Sequence, residues 1–319
     1  MNNTVKSTKG AEKIEINSIR WFRIISQFEL QSMVWPGLIF LFVFAYIPMY
    51  GILIAFKDYD MFLGVTGSPW VGFDHFVEFF FDPNFFRVMR NTLAINGLNL
   101  IIGFPAPIIF ALLLNEISTM KFKRFVQTIS YLPHFVSWVV FGGLILTILS
   151  PSNGILNYLL MQLGLISEPI NFIGDANNFW YILVSGEVLK GLGWGAIIYI
   201  AAISGVDQEM YEAATIDGAG RLQKMWYVTL PSIMGTVVIM LIFAISAILN
   251  TGFEQILVLQ NPLNLDTSET IDTYVYKTGI QQMRYSYSTA VGVAKSIVAV
   301  LLLLSANYFS KKITNQGLF

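Results

Sequence analysis

The sequence predicts an all-α polytopic membrane protein with six transmembrane helices, and three observations carry that prediction. Only 12% of the 319 residues are charged, against about 25% in ordinary soluble domains. With a mean hydropathy of +0.62, the chain has too little polar surface to cover a globule, so most of it faces lipid or an apolar partner. Second, six runs, 33–56, 88–114, 126–149, 179–206, 230–250 and 288–309, are apolar for long enough to cross a hydrocarbon core of about 30 Å at 1.5 Å per residue. Third, none of them alternates polar and apolar residues as a membrane barrel strand does. A helix is the other structure that satisfies its own backbone in lipid.

Taken in order, residues 1–32 form a polar, Lys-rich N-terminal segment. The first apolar run begins only near Met33 and ends in "KDYD", too late and too long for a cleaved leader, so it is read as a retained span. The second span contains "GFPAPI", where Pro105 and Pro107 each remove a backbone donor and are expected to bend the helix. The third carries His134 near its cytoplasmic end. In the fourth, Gly191, Gly193 and Gly195 allow a neighbouring helix to come close. Glu187 and Lys190 lie three residues apart there and are placed to pair on one helix face. The sixth span holds Lys295. The transmembrane domain thus runs over 33–310, with a tail at 311–319.

Lys and Arg in the connections orient the spans. Lys6, Lys9, Lys13, Arg20 and Arg23, then Lys121, Lys123 and Arg124, then Arg221 and Lys224, and finally Lys311 and Lys312 fall on one side. The opposite connections hold Lys57, Arg87, Arg90, Lys277 and Arg284, and 150–178 holds none. Twelve against five places both termini and the 207–229 loop in the cytoplasm.

That loop reads "EAATIDGAGRLQKMWYVTLP" over 212–231. Good helix formers run from Asp207 to Ile216, with Glu212 set toward the positive end of the helix dipole, and Gly218 is placed to let the chain turn out. A second short helix from Arg221 to about Tyr227 follows, and Pro231 suits the first turn of the next span. A helix–turn–helix of this size, with small Ala213 and Ala214 on its surface, suggests docking rather than mere connection.

The same residues resemble the EAA signature of permease subunits of binding-protein-dependent ABC importers: Glu-Ala-Ala, three residues, Gly218, nine residues, Val228, one residue, Leu230-Pro231. Val228 stands where Ile is usual, and Trp226 where Phe is common. "YIPMYGILIAFKDYD", "GSPWVGFDHF", "FRVMRNTLAINGLNLIIGFPAPIIFALLLNEI" and "GLGWGAIIYIAAISGVD" are similar to the carbohydrate branch of that superfamily, the LplB-type permeases of complex saccharide systems. The resemblance implies a type I ABC importer permease fold in a bacterial cytoplasmic membrane. It implies a second permease subunit, by preference a paralogue, two cytoplasmic ATPase subunits that bind the ATP and Mg, an extracytoplasmic solute-binding protein and a saccharide substrate. It makes Glu212, Ala213, Ala214, Asp217 and Gly218 the ATPase-coupling residues.

Other chemistry finds little support. The chain has no G-x-x-x-x-G-K-[ST] phosphate loop, so this reading gives it no cofactor of its own and no enzymatic step. Zero cysteines remove disulfides and thiolate sites. His75 and His134 are assigned to opposite sides of the membrane, which leaves no metal set, and a net charge of −1 gives no support to nucleic-acid binding. An ion-gradient-driven secondary transporter is the alternative from another class. Ionisable groups inside spans mark candidate solute contacts, namely Glu187, Lys190 and Lys295, the last facing either a partner's carboxylate or an acidic sugar. Trp138, Trp194, Tyr199, Asn250 and Gln255 add the aromatic faces and amides that saccharides use. Gln281, Gln282 and Arg284 fall in the external 251–285 segment, a candidate docking site for the binding protein.

Overall fold

A computed structural model describes residues 28–314. The N-terminal Lys and Arg residues and residues 315–319 lie outside the described residues. Among the described residues every regular element is helical, apart from one antiparallel bridge between Lys57 and Trp70.

The first span starts as α1 (Phe28–Leu41) and passes through a wide π turn (Phe42–Tyr46) into a tighter 3-10 stretch (Ile47–Phe56). After the short helix α2 (Asp74–Phe81), the second span runs as α3 (Phe85–Leu98), a π turn (Asn99–Gly103) and α4 (Pro105–Asn115). The π turn sits just before the two prolines, and Phe104 donates to the Asn99 carbonyl at 2.8 Å. Pro105 occupies the first turn of α4, where a missing N–H costs little. The segment Phe85–Asn115 therefore stays one continuous apolar helix, without the sharp bend its prolines predict.

Among the described residues, four helices are long and apolar enough to cross a membrane: Gln31–Phe56, Phe85–Asn115, Phe179–Ser204 and Tyr285–Lys312. The third and fifth expected spans are bent pairs, so the number reaches six when each pair is taken as one span. In the third, α5 (Met120–Phe135) and α6 (Trp138–Ile148) meet at 100°. Pro133 sits at the end of α5, and Ser137 starts α6 by accepting the Val140 N–H at 3.3 Å. A proline stop followed by a serine N-cap is a helix boundary. The fifth bends by 66° between Arg221–Ser232 and α11 (Met234–Ser246). Pro231 therefore lies in the last turn before the bend rather than in the first turn of the span.

Helix α8 (Phe179–Ser204) is the central strut, about 39 Å long at 1.5 Å per residue. It packs against α4 through Ala196, Tyr199 and Ile203 on Ile108, Ala111 and Leu112. A Cβ at Gly193 would collide with the Ser130 carbonyl of α5, and one at Gly195 would press on Pro107 at 3.1 Å. Gly191 has open space around it, so two of the three glycines serve close approach. The last helix, α14 (Tyr285–Thr314), packs on α11 and on the 47–56 stretch.

One end of the bundle is closed by an ordered cap. It joins α2 to α13 (Ile271–Tyr276) through Phe79, Ile271 and Tyr274 and α13 to α12 (Phe253–Leu259), while α7 (Ile155–Gln162) packs on α6 and holds the Ile170 backbone through Asn157. Trp180 Nε1 donates to the Thr267 carbonyl at 2.8 Å, and Asn264 donates to Ile173 at 2.9 Å. Buried Glu269 pairs with both Arg87 and Lys277, and Arg90 pairs with Asp266. Four of the five basic residues assigned to this side are spent on cap ion pairs once Arg284–Glu78 is included. The fifth, Lys57, donates to the carbonyls of Val65 and Thr66.

A helical loop and a broken polar seam

Between α8 and α11 the chain forms α9 (Gln208–Ile216) and α10 (Arg221–Lys224), the latter continuing through a π turn to Ser232. Asp207 caps α9 by accepting the Glu209 N–H at 3.0 Å. The acid in the first turn is Glu209, while Glu212 sits mid-helix, so Glu212 is set back from the dipole position assigned to it. The exit is a Schellman turn: Gly218 N–H donates to Thr215 at 3.1 Å and Ala219 N–H to Ala214 at 2.9 Å. Gly218 adopts φ +80°, a conformation that glycine reaches without a Cβ penalty. Gln223 Oε1 then accepts the Gly220 N–H at 2.7 Å, and Lys224 Nζ donates to Thr215 Oγ1 at 2.7 Å, tying the two helices together.

The loop is anchored at its base and open at its face. Met225 and Thr229 are buried, and Tyr211 and Thr229 hydroxyls meet at 3.0 Å. Glu212, Ala213, Asp217 and Gly218 are exposed, and Ala214 is half-buried. Ile216 is 87% exposed and Leu222 68%, so polar and apolar groups share one uncovered surface.

The intramembrane candidates separate into three groups. Glu187 and Lys190 do not pair. Glu187 accepts from Gln255 Nε2 at 2.8 Å and from the Asn99 side chain, while Lys190 Nζ donates to the carbonyls of His134 and Pro133 at 2.7 and 3.2 Å. The break between α5 and α6 takes from these last-turn carbonyls the amides a continuing helix would supply; Pro133 keeps a bond from the Val136 N–H at 3.3 Å, and the lysine serves both carbonyls. Around it, Trp138 lies 5.6 Å from Lys190 Nζ, and His134 stacks flat on Trp194 at 4.4 Å and 2°. His134 thus sits beside Trp194 of α8, at the break between α5 and α6.

Tyr199 and Asn250 come together in a cavity of about 310 Å³, with Asn96 and Asn99 beside them. Asn99 links this cavity to Glu187 and, through it, to Gln255. Lys295 stands apart. It pairs with Asp272 of the same chain, so neither a partner's carboxylate nor a sugar acid is its first neighbour. The other oxygen of Asp272 accepts from Thr251 N and Oγ1, both at 3.1 Å, and so fixes the non-helical link between α11 and α12.

The residues that sequence reasoning missed are Asn96 and Asn99, His134 as a stacking partner, and Asp272 with Thr251. Two amides in "NGLNL" inside an apolar run were a readable signal, as was Pro133 followed by Ser137. Asp272 lies outside any span, and nothing local points to Lys295, 23 residues on.

Residues 103–315 match the family described as "Binding-protein-dependent transport system inner membrane component". Protein LplB of Bacillus subtilis (strain 168) is 48% identical over 284 residues, covering 89% of this chain and 89% of its own. The polygalacturonan/rhamnogalacturonan transport system permease protein YteP of the same organism is 45% identical over 297 residues, covering 93% and 92%. Among solved structures, a bacterial alginate ABC transporter in complex with an alginate pentasaccharide-bound periplasmic protein contains a similar chain. It superposes with a TM-score of 0.85 at 38% identity, covering 93% of this chain and 99% of that one. With a family match over most of its length and relatives this similar across nearly all of it, the chain belongs to the inner membrane components of binding-protein-dependent transport systems.

Proposed function

We propose that this chain is one permease subunit of a bacterial ABC importer that passes an oligo- or polysaccharide into the cytoplasm, driven by ATP hydrolysed on separate subunits. The observation that carries the proposal is the ordered α9–α10 loop, whose exposed face carries Glu212, Ala213, Asp217 and Gly218. A loop needed only to connect two spans would not require a Schellman turn, two cross-ties and an uncovered mixed surface. On this reading it lies in the cytoplasm, where it fits a cleft on an ATPase that binds ATP and Mg, and both termini lie on the same side. Closure of the ATPases then shifts a two-state equilibrium of the permease pair through that contact.

The saccharide assignment rests on relatives that are transport proteins for polygalacturonan/rhamnogalacturonan and for alginate, an acidic polysaccharide. Within the chain, the cavity lined by Tyr199, Asn250, Asn96 and Asn99 offers amides and a phenol for sugar hydroxyls. The half-exposed Trp194 ring, held flat by His134, offers a stacking face. A second permease subunit completes the path, and a solute-binding protein delivers the sugar to the capped end.

The test is uptake of labelled oligogalacturonate or alginate oligomers into proteoliposomes holding the assembled transporter and its binding protein. Uptake should require ATP on the ATPase side and survive dissipation of ion gradients. Uptake driven by an ion gradient without the ATPases would overturn the proposal. In the same assay Glu212→Lys should leave the protein inserted yet abolish solute-stimulated ATP hydrolysis; normal hydrolysis in that variant removes the coupling role.

A further inference from the structure

Helix α2 has a three-sided surface that its role as a connector between two spans does not require. At about 100° per residue, its residues fall into three sectors. His75, Phe76 and Phe79 face the bundle: His75 Nε2 lies 3.1 Å from the Lys57 carbonyl, the Phe76 ring is 5.3 Å from Phe56, and Phe79 is buried with Val88 and Tyr287. Phe73, at the N-cap, with Val77, Phe80 and Phe81 forms a second sector of roughly 100°, and these four are 68%, 53%, 55% and 83% exposed. Asp74 and Glu78 form the third, both exposed.

The order of the sectors matters. The exposed apolar face lies between the protein-packed face and the acidic one. Its rings continue the apolar surface of both neighbouring spans: Phe73 meets Phe56 at 5.5 Å, Phe80 meets Phe85 at 5.5 Å, and Phe86 in the first turn of α3 is 80% exposed. No Lys or Arg occurs between Lys57 and Arg87, so the helix's own polar side carries only Asp74 and Glu78, and the one Lys or Arg that meets it among the described residues is Arg284, paired with Glu78 at the cap. We infer that α2 is an interfacial helix, lying flat along the membrane boundary with Phe73, Val77, Phe80 and Phe81 among the lipid acyl chains and Asp74 and Glu78 in water. The occupant of the apolar face is lipid, because the face is continuous with lipid-facing span surface and the charged face turns away from it. Helices of this kind seat their apolar side roughly 5–10 Å into the headgroup boundary, and aromatic rings favour that layer. Lying at the ends of the first, second and last spans, α2 thereby fixes the height of the cap relative to the bilayer.

This inference rests on the membrane-spanning reading of the chain, and one experiment separates the two. The chain has no cysteine, so single nitroxides can be introduced at Phe73→Cys, Val77→Cys, Phe80→Cys, Phe81→Cys, Asp74→Cys and Glu78→Cys. Leu301→Cys, 57% exposed on α14, is the span control. The assembled transporter is placed in phosphatidylethanolamine–phosphatidylglycerol vesicles, and relaxation by oxygen is compared with relaxation by a water-soluble nickel chelate. Oxygen should be the stronger relaxer at 73, 77, 80 and 81, and the chelate at 74 and 78, with a period of about 3.6 residues. If Leu301→Cys reads as lipid while the four apolar positions favour the chelate or are shielded from both reagents, the interfacial helix is overturned and the membrane reading stands. A chelate-accessible control overturns both.

Discussion

At position 218 the backbone conformation is φ +80°, and a branched residue there meets a left-handed conformation costing roughly 1–2 kcal/mol. Gly218→Val should therefore unwind the Schellman turn and misplace Glu212 while leaving membrane insertion intact, as read by solute-stimulated ATP hydrolysis against membrane-extracted yield. Position 193 fails differently. Its missing Cβ is replaced by the backbone carbonyl of Ser130, which cannot rotate away as a side chain can. Gly193→Ala should lower stability by about 1–3 kcal/mol in a thermal unfolding series, whereas Gly191→Ala, with open space around it, should change little. Glycine at 218 was legible because one local turn demanded it. The roles of 191, 193 and 195 were not separable, because the facing residues Ser130 and Pro107 lie some 60 and 90 residues away in sequence. The same limit explains Glu187 and Lys190: their spacing permitted a pair, but each found partners on other helices that are invisible to local spacing.

At the scale of elements, the two broken spans are the main departure from the expected bundle. Hydropathy reads apolar length and passes over a bend, so 126–149 looked like one helix although Pro133 and Ser137 marked its break. Lys190 is the prop of that break. Lys190→Met keeps the stem but takes the lysine donor from the His134 carbonyl and leaves Pro133 only its bond from Val136, a loss of about 1–3 kcal/mol, and Lys190→Arg should recover part of it in the same unfolding assay. The cap has its own knot: Asp82 accepts from Tyr274 at 2.8 Å and from Tyr287 at 3.2 Å, and the two hydroxyls meet at 3.0 Å. Burial raises the Asp82 pKa, but bonds from the Asn84 backbone and side chain and from the two tyrosines outweigh it and hold it below the ordinary 3.8. Burial, reinforced by Asp82, pushes Tyr274 up to about 12. A depressed carboxyl stabilises above its unfolded value and loses that contribution as pH falls through the folded one. A raised phenol stabilises below its unfolded value of 10.0 and loses its contribution as pH climbs toward 12. Protection of the 271–276 amides, taken relative to their intrinsic exchange rate at each pH, should therefore be greatest between these limits, and Asp82→Asn should remove the acid-side loss.

For the whole molecule, composition and apolar runs made the all-helical membrane class legible, and charge in the connections put at one end the five basic residues that the cap engages. Arg87, Arg90, Lys277 and Arg284 pair with Glu269, Asp266 and Glu78 at the cap, so that end of the bundle carries less free positive charge than the residue count suggests. The solute path was less legible, since a single chain carries only part of its lining and the cavity at Tyr199 and Asn250 forms where three separate segments meet. The central claim is that the α9–α10 loop docks on a separate ATPase. A nitrogen-tethered photo-crosslinker on Ala213→Cys, in a chain otherwise free of cysteine, tests it within intact membranes of cells expressing the complete transporter. The account predicts one major adduct, containing the ATPase subunit and changing in yield with nucleotide. Crosslinking only to lipid or to the extracytoplasmic binding protein, with no ATPase adduct in any nucleotide state, would contradict it.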